Sequence, residues 1–309
     1  MKIHCLSSLK AKILKVEISF HLKEKIVEWK LNKAGGSRNV TYIGVTASGK
    51  KVLAKYTLFT LNILRQRKIR RTIDAKITFG FPKLIKSYLS VFFLYCFVNE
   101  WLDGQPLDLN ELNNDPQQLK DCAEKVCHLI KELHTLDLDT NTGTQRSLKK
   151  DYKHALSAIK HYKIAVPHYD SFVKYVDDNI EMVQTVRRSF VHFDFYPGNV
   201  ISNNGEYKII DLETVCISDP WRDLVYAIEI NFPEQRNFWR LLLLNYFGGT
   251  IPSEFYSVSK LYVIVYMLMI AKYNRDNLDT YFLLVNKVYD DYDNLNAEIP
   301  KWLGDINFE

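Results

Sequence analysis

Four side chains lie within twenty positions of one another in SFVHFDFYPGNVISNNGEYKIIDLE, Ser189 to Glu213: His192, Asp194, Asn199 and Asp211. Three of them offer oxygen atoms of the kind that bind a hard divalent cation or take a proton from a hydroxyl. Asn199 is a neutral donor and Asp211 an anionic one. A loop histidine beside an apolar strand is most often a hydrogen-bonded structural residue, and His192 is read that way. Apolar runs at Phe190–Val191 and Tyr207–Ile210 predict short strands, and Asn203-Asn204-Gly205 predicts a tight turn ahead of the second. Folding back at that turn would bring Asn199 and Asp211 near each other, although they are twelve positions apart. The chemistry implied is a metal–phosphate site.

The elements that must position these groups follow from the rest of the chain. Met1–Leu22 mixes lysines with apolar residues and reads as a helix or edge element. Ile26–Leu31, Val40–Thr46 and Lys51–Tyr56 read as strands, with NKAGGSRN between the first two and Ser48-Gly49 turning into the third. Gly35-Gly36-Ser37 in that first loop is either a plain hairpin turn or a place where backbone N–H groups approach a phosphate. Lys55 ends the third strand in VLAK. Leu58–Ile73 has helical apolar spacing with arginines between. Phe79–Ser87 and Val91–Val98 are expected to complete a small antiparallel sheet, with Pro82 suited to an edge. Asn99–Leu107 is punctuated by Asp103-Gly104 and Pro106 and reads as a linker. Beyond it the pattern is helical: 117–134, 151–163, 172–187, then 221–226, 238–247, 253–271 and 280–292. Asp219-Pro220 is a helix-start signal, and Asp223 is read as a brace for the loop. Strands first and helices after predict a two-lobed α+β protein. The expected division is an N-terminal lobe over 1–98, a hinge over 99–107 and a C-terminal lobe over 108–309.

Charge is unevenly spread. Residues 1–75 hold seventeen Lys and Arg against four Asp and Glu; the remainder holds 24 basic and 32 acidic residues. A basic first part suits polyphosphate, nucleic acid or an acidic membrane surface, and an acidic second part suits a cationic partner. The five cysteines (Cys5, Cys96, Cys122, Cys127, Cys216) show neither zinc spacing nor a disulfide framework, which favours a reducing, cytoplasmic setting. Leu89–Val98 and Leu261–Ala271 are about half the ~20 residues a membrane helix needs, and no secretory signal is visible. No membrane partner is expected. RQRKIRR at Arg65–Arg71 lacks interleaved aromatics for base stacking, so no nucleic-acid partner is expected either.

VHFDFYPGN, Val191–Asn199, resembles the HxDxxxxN catalytic loop of the aminoglycoside phosphotransferase and choline kinase group, a small-molecule branch of the protein-kinase-like fold. IIDLE resembles that group's metal-binding strand, SDPWRDL its next helix start, VLAK its phosphate-binding strand, FVNEWLDGQPL its adenine hinge, and HLIKELHTL the helix before the core. The resemblance runs over roughly 26–275 with the parts in order. It implies Asp194 as the base that orients or deprotonates a substrate hydroxyl, and Asn199 and Asp211 as ligands of Mg²⁺ on the nucleotide phosphates. It further implies Lys55, Gly35, Gly36, Ser37, Glu100 and Trp101 as contacts to ATP or GTP. The expected reaction moves the γ-phosphate to a hydroxyl of a small molecule. The acidic residues Asp290, Asp291, Asp293 and Glu298 suggest a cationic one, such as an aminoglycoside-like antibiotic or an amino alcohol.

Two departures stand out. Position 193 is Phe where the group often has Gly. The helix after Lys55 lacks the usual glutamate: Tyr56 to Ile73 holds no acid, and Asp74 is the first. Lys55 is therefore expected to pair with Asp74 or to be anchored differently. A loosely placed lysine would weaken turnover, so a catalytically weak or inactive nucleotide-binding scaffold is the alternative reading.

Overall fold

A computed structural model of the chain describes residues 8–32, 39–58, 61–77, 79–112, 114–137, 145–185, 188–226 and 235–304. These fall into two compact units. The first takes the described residues of 1–105 together with Ile201–Leu212; the second takes those of Pro106–Thr140, Thr144–Val200 and Glu213–Glu309. The hinge expected over 99–107 thus contains a unit boundary, between Gln105 and Pro106. Twelve described residues expected in the C-terminal lobe, Ile201–Leu212, belong instead to the first unit.

The first unit is built on helix α1 (Ser8–Leu22), strands β1 (Ile26–Leu31), β2 (Val40–Thr46) and β3 (Lys51–Leu58), helix α2 (Leu61–Lys76), and strands β4 (Leu84–Leu89) and β5 (Leu94–Glu100). The five strands form an antiparallel sheet in the order β1-β2-β3-β5-β4. Alternation along a strand sends successive side chains to opposite faces. Val52, Ala54, Tyr56, Cys96 and Val98 therefore share one face and pack with Leu14 and Ile18 of α1. Both α1 residues are fully buried, each stabilising the unit by roughly 1.5–3 kcal/mol. Tyr95 and Phe97 turn to the other face and meet Ile63 of α2. Lys55 is out of phase with Ala54 and Tyr56 and lies opposite Phe97 in the register, so it too belongs to that other face.

The last two strands depart from expectation. Phe79–Ser87 and Val91–Val98 were the predicted spans; the strands are Leu84–Leu89 and Leu94–Glu100. Val91 is not in a strand, because Ser90–Phe93 forms the turn: Phe93 N–H donates to Ser90 O at 2.9 Å and Ser90 N–H to Leu94 O at 2.7 Å. The residues before β4 are used elsewhere, Gly80 O accepting the N–H of Ile209 at 2.8 Å. The helix expected from Leu58 starts at Leu61, since Leu58 still pairs with Leu94.

A three-stranded sheet follows from β6 (Gln105–Pro106), β8 (Val200–Asn203) and β9 (Glu206–Ile209), in the order β6-β8-β9. The β8–β9 hairpin turns where Asn203-Asn204-Gly205 predicted, with Asn204 and Gly205 both at positive φ, the pairing that suits a right-twisted two-residue loop. Gly104, at φ +130°, backs onto β8 so closely that a Cβ there would lie 2.4 Å from Ser202 O. No other residue fits.

The second unit holds helices α3 (Leu109–Leu112), α4 (Pro116–Thr135), α5 (Leu148–Tyr162), α6 (Tyr169–Asn179), α7 (Trp221–Tyr226), α8 (Arg236–Phe247), α9 (Ser253–Ile270), α10 (Leu278–Asp291) and α11 (Lys301–Gly304). It also holds a two-stranded sheet of β7 (Ser189–Val191) and β10 (Cys216–Ser218). The face of α4 read from its spacing is the buried one: Leu119, Cys122, Val126, Leu129, Ile130 and Leu133. Its N-terminus is capped by Asp115, whose carboxylate accepts from the N–H groups of Gln117 and Gln118. Helix α9 and the turn after it make a 21-residue apolar segment, Ser253–Tyr273, long enough by length and composition to cross a membrane. That is twice the span expected from Leu261–Ala271. Two thirds of its apolar window is buried inside the fold, where it packs against α5, α6 and α7. The described cysteines form no disulfide and are buried, and burial pushes the Cys96 and Cys216 thiols up to about 12, away from thiolate chemistry.

Candidate active site

In the second unit, β7 delivers the chain to His192 between fully buried neighbours, Val191 pairing with Cys216 of β10. His192 is completely buried, and the backbone around it is closely held. Asp223, on α7 and 1% exposed, accepts the N–H of His192 at 2.6 Å and of Phe193 at 2.7 Å. The same carboxylate meets His134 Nε2 at 3.0 Å, and His134 Nδ1 meets the Tyr246 hydroxyl at 2.9 Å. Thr214 Oγ1 donates to His192 O at 2.7 Å, and His192 Nδ1 accepts the N–H of Asp194 at 3.3 Å. His192 is structural, as read, and Asp223 is the brace. His134, Tyr246 and Thr214 were not foreseen; nothing in their spacing marks them, because they come from three distant segments.

Phe193 sits at φ +66°. A left-handed conformation costs a non-glycine residue roughly 1–2 kcal/mol, which is why Gly would be easier there. What offsets the cost is visible. The Phe193 ring meets two guanidinium groups, Arg146 at 3.9 Å and Arg222 at 4.6 Å from its centroid, each contact contributing about 0.5–2 kcal/mol. Arg222 is 1% exposed and held by Asp151 Oδ2 at 2.6 Å and Ser218 Oγ at 3.1 Å. The loop is therefore held by the contacts of two guanidinium groups with the ring rather than loosened by the substitution.

Asp194 follows with an exposed carboxylate. Asn199 is 5% exposed and spends its amide N–H groups on Asp194, reaching the backbone O at 2.8 Å and Oδ2 at 3.2 Å. Among the described residues, none donates a hydrogen bond to its Oδ1. A 3₁₀ turn over Pro197–Asn199 fixes this, with Asn199 N–H on Tyr196 O at 2.9 Å. Phe195 is buried edge-on to Trp239 at 5.9 Å. Asp219 caps α7 through Trp221 N–H at 3.0 Å and accepts the Tyr262 hydroxyl; burial pushes its carboxyl up to about 6.

In the first unit, Lys55 Nζ meets Asp211 Oδ1 at 2.6 Å, with the two side chains 13% and 34% exposed. Asp211 follows β9 at φ +63°. Pairing of Lys55 with Asp74 does not occur. Asp74 is 3.6 Å from Arg70 and accepts the N–H of Leu84 at 3.2 Å, and burial raises its carboxyl above the usual range. Arg70 is nearly buried on α2 and also binds Pro82 O at 2.6 Å and Asn99 Oδ1 at 3.3 Å. Helix α2 thus uses its acid to hold its own arginine. Glu100 and Trp101 line a polar recess of about 220 Å³ together with Asp103, Ile201 and Lys208. Trp101 Nε1 donates to Asp103 at 3.0 Å, and Asp103 pairs with Lys51. Gly35, Gly36 and Ser37 lie outside the described residues.

Each unit therefore brings two expected residues together: Asp194 with Asn199 in the second, Lys55 with Asp211 in the first. Residues 29–255, well over half the chain, match the sequence profile of the phosphotransferase enzyme family. The chain belongs to that family. No protein of curated function matches it in sequence. Among solved structures, this phosphotransferase is similar to the gentamicin complex of APH(2'')-IIa at 16% identity and a TM-score of 0.68, covering 96% of this chain and 99% of that one. A GDP and kanamycin complex of APH(2'')-IIIa gives 14% identity and a TM-score of 0.70, covering 92% and 99%. A choline/ethanolamine kinase family protein from Mesorhizobium loti gives 15% identity and a TM-score of 0.64, covering 87% and 90%. At such identities the likeness shows the fold, which is the two-lobed protein-kinase-like α+β fold expected from the sequence.

Proposed function

We propose that this phosphotransferase moves the γ-phosphate of ATP or GTP to a hydroxyl of a small molecule in the cytoplasm, with Asp194 as the base. The observation that carries the reading is the second unit's loop. It presents one exposed carboxylate on a backbone that is otherwise buried and hydrogen-bonded, which is how a general base is held ready. The residues also fit a hard cation. With its N–H groups spent on Asp194, Asn199 offers Oδ1, and Asp211 offers an anionic oxygen. Asn199 and Asp211 would hold Mg²⁺, which when bound neutralises charge on the phosphates. Lys55, the recess at Glu100 and Trp101, and Gly35, Gly36 and Ser37 would receive the nucleotide.

A cationic acceptor is supported by the aminoglycosides bound in the similar structures. The acidic C-terminal cluster gives it less support: Asp291 is paired with Arg236 and Lys287, and Glu298 with Ser257. The alternative, a weak or inactive nucleotide-binding scaffold, is favoured by one observation: α2 supplies Lys55 with no acid.

Purified protein with Mg²⁺ and ATP or GTP should phosphorylate a member of a panel of aminoglycosides and amino alcohols, read by product mass. Asp194→Asn should lower that turnover by about 10²–10⁴ with nucleotide affinity kept. Turnover unchanged in Asp194→Asn would refute the assigned base. Nucleotide-dependent thermal stabilisation with no transfer to any acceptor would support the scaffold.

A further inference from the structure

Helix α1 is apolar on two opposite faces. Leu14 and Ile18 are fully buried against the sheet. At 100° per residue, Leu9, Ile13, Val16 and Phe20 fall within about 60° of arc on the opposite side. They are 66%, 39%, 70% and 78% exposed. From Leu9 to Phe20 the stripe runs about 16 Å along the helix. The β4–β5 turn extends it. Glu17 Oε1 accepts the N–H of Val91 at 2.9 Å, joining that turn to α1, and Val91 and Phe93 are 64% and 77% exposed. Phe93 is held outward at φ +56°, a conformation that costs a bulky residue energy.

Basic residues outnumber acids around this ridge, with Lys10, Lys12, Lys15, Lys23 and Lys25 against Glu17 and Glu24 among residues 8–25. Lys12 lies beside the stripe, and Lys10, Lys23 and Lys25 are exposed nearby. Glu17 and Glu24 are the only acids among residues 1–25, and each is occupied by a backbone N–H, that of Val91 and that of Ser48. An apolar ridge of six residues flanked by lysines is complementary to an acidic surface that also accepts apolar side chains. A second copy of the chain fits badly, because a two-fold contact through this ridge would set the same lysines against each other.

We propose that α1 and the Ser90–Phe93 turn form a docking ridge for the surface of an anionic lipid bilayer, with the apolar side chains entering the headgroup region and the lysines facing lipid phosphates. Such binding lies on the membrane rather than across it. The sequence reading expected no membrane partner, although it named an acidic membrane surface among the things that the basic first part suits.

The full chain is mixed with vesicles of phosphatidylcholine alone and of phosphatidylcholine with phosphatidylglycerol, and bound protein is measured by flotation. Binding is expected to the anionic vesicles only and to weaken with salt. Val16→Ser/Phe20→Ser should bind at least about tenfold more weakly while its circular dichroism and melting temperature stay those of the parent. Lys12→Gln/Lys23→Gln should weaken binding most at low salt. Absence of binding to anionic vesicles overturns the proposal. Binding that ignores Val16→Ser/Phe20→Ser overturns it as well, since general charge would then suffice. Concentration-dependent dimers in light scattering that vanish in the same variant would assign the ridge to a second copy instead. None of these readouts depends on phosphate transfer.

Discussion

The two units hold their chemical groups in different ways. In the second, Asp194 sits on a loop fixed by several groups: Asp223 takes two consecutive N–H groups, His134, itself bonded to Tyr246, meets Asp223, and two arginines contact the Phe193 ring. In the first, Lys55 and Asp211 form a partly exposed ion pair on a strand and a strand end. The difference matches the roles proposed for these groups. A base would gain from arriving already oriented, whereas a lysine and an aspartate serving a diffusible nucleotide and its cation would have to be able to leave each other.

Substitutions can break this contrast in graded fashion. Asp223→Ala should have the largest effect on stability, about 3–5 kcal/mol by chemical denaturation, because it removes a fully buried carboxylate and strands two N–H groups and a histidine. A loss below about 1 kcal/mol would mean the loop is not braced as described. Asp219 sharpens the same point through pH. Its carboxyl is raised from 3.8 to about 6 by burial, so the folded state binds its proton first. This group's contribution therefore becomes more favourable as pH falls from about 6 towards 4, and its penalty is carried above 6. Measured against Asp219→Asn, the parent should gain up to about 3 kcal/mol between those limits; a parallel pair of curves would count against it. Phe193→Leu keeps the left-handed strain and loses the ring contacts, and should cost about 2 kcal/mol. Phe193→Gly loses both and should lie nearer the parent. The smallest effect belongs to the first unit. Lys55→Met should change stability by less than about 1 kcal/mol, yet weaken nucleotide binding at least about tenfold by calorimetry.

The fold was legible where periodicity was strong. The first three strands, the buried face of α4 and the Asn204-Gly205 turn appear where the sequence placed them, because local pattern and turn chemistry agree there. Val91 misled for the opposite reason: an apolar residue placed outward in a turn looks like a strand residue in sequence. The loop carrying Asp194 could be read as a motif, but what holds it could not. Arg146, Arg222, His134 and Tyr246 converge through tertiary packing, and no spacing rule links them. The missing helix acid was noticed in the sequence; that Asp74 serves Arg70 required coordinates.

Ile201–Leu212 completes the first unit from within the sequence of the second, with Ile209 bonded to Gly80 across more than a hundred residues of chain. During synthesis, the first unit cannot close its last sheet when residue 105 emerges. It must wait for the hairpin, roughly 5–20 seconds later at common elongation rates. Through that interval the turn before β4 is unpartnered at Gly80, and the second unit's helices α3 to α6 have emerged without α7 to α11. Truncation anywhere between 106 and 212 therefore leaves neither unit whole.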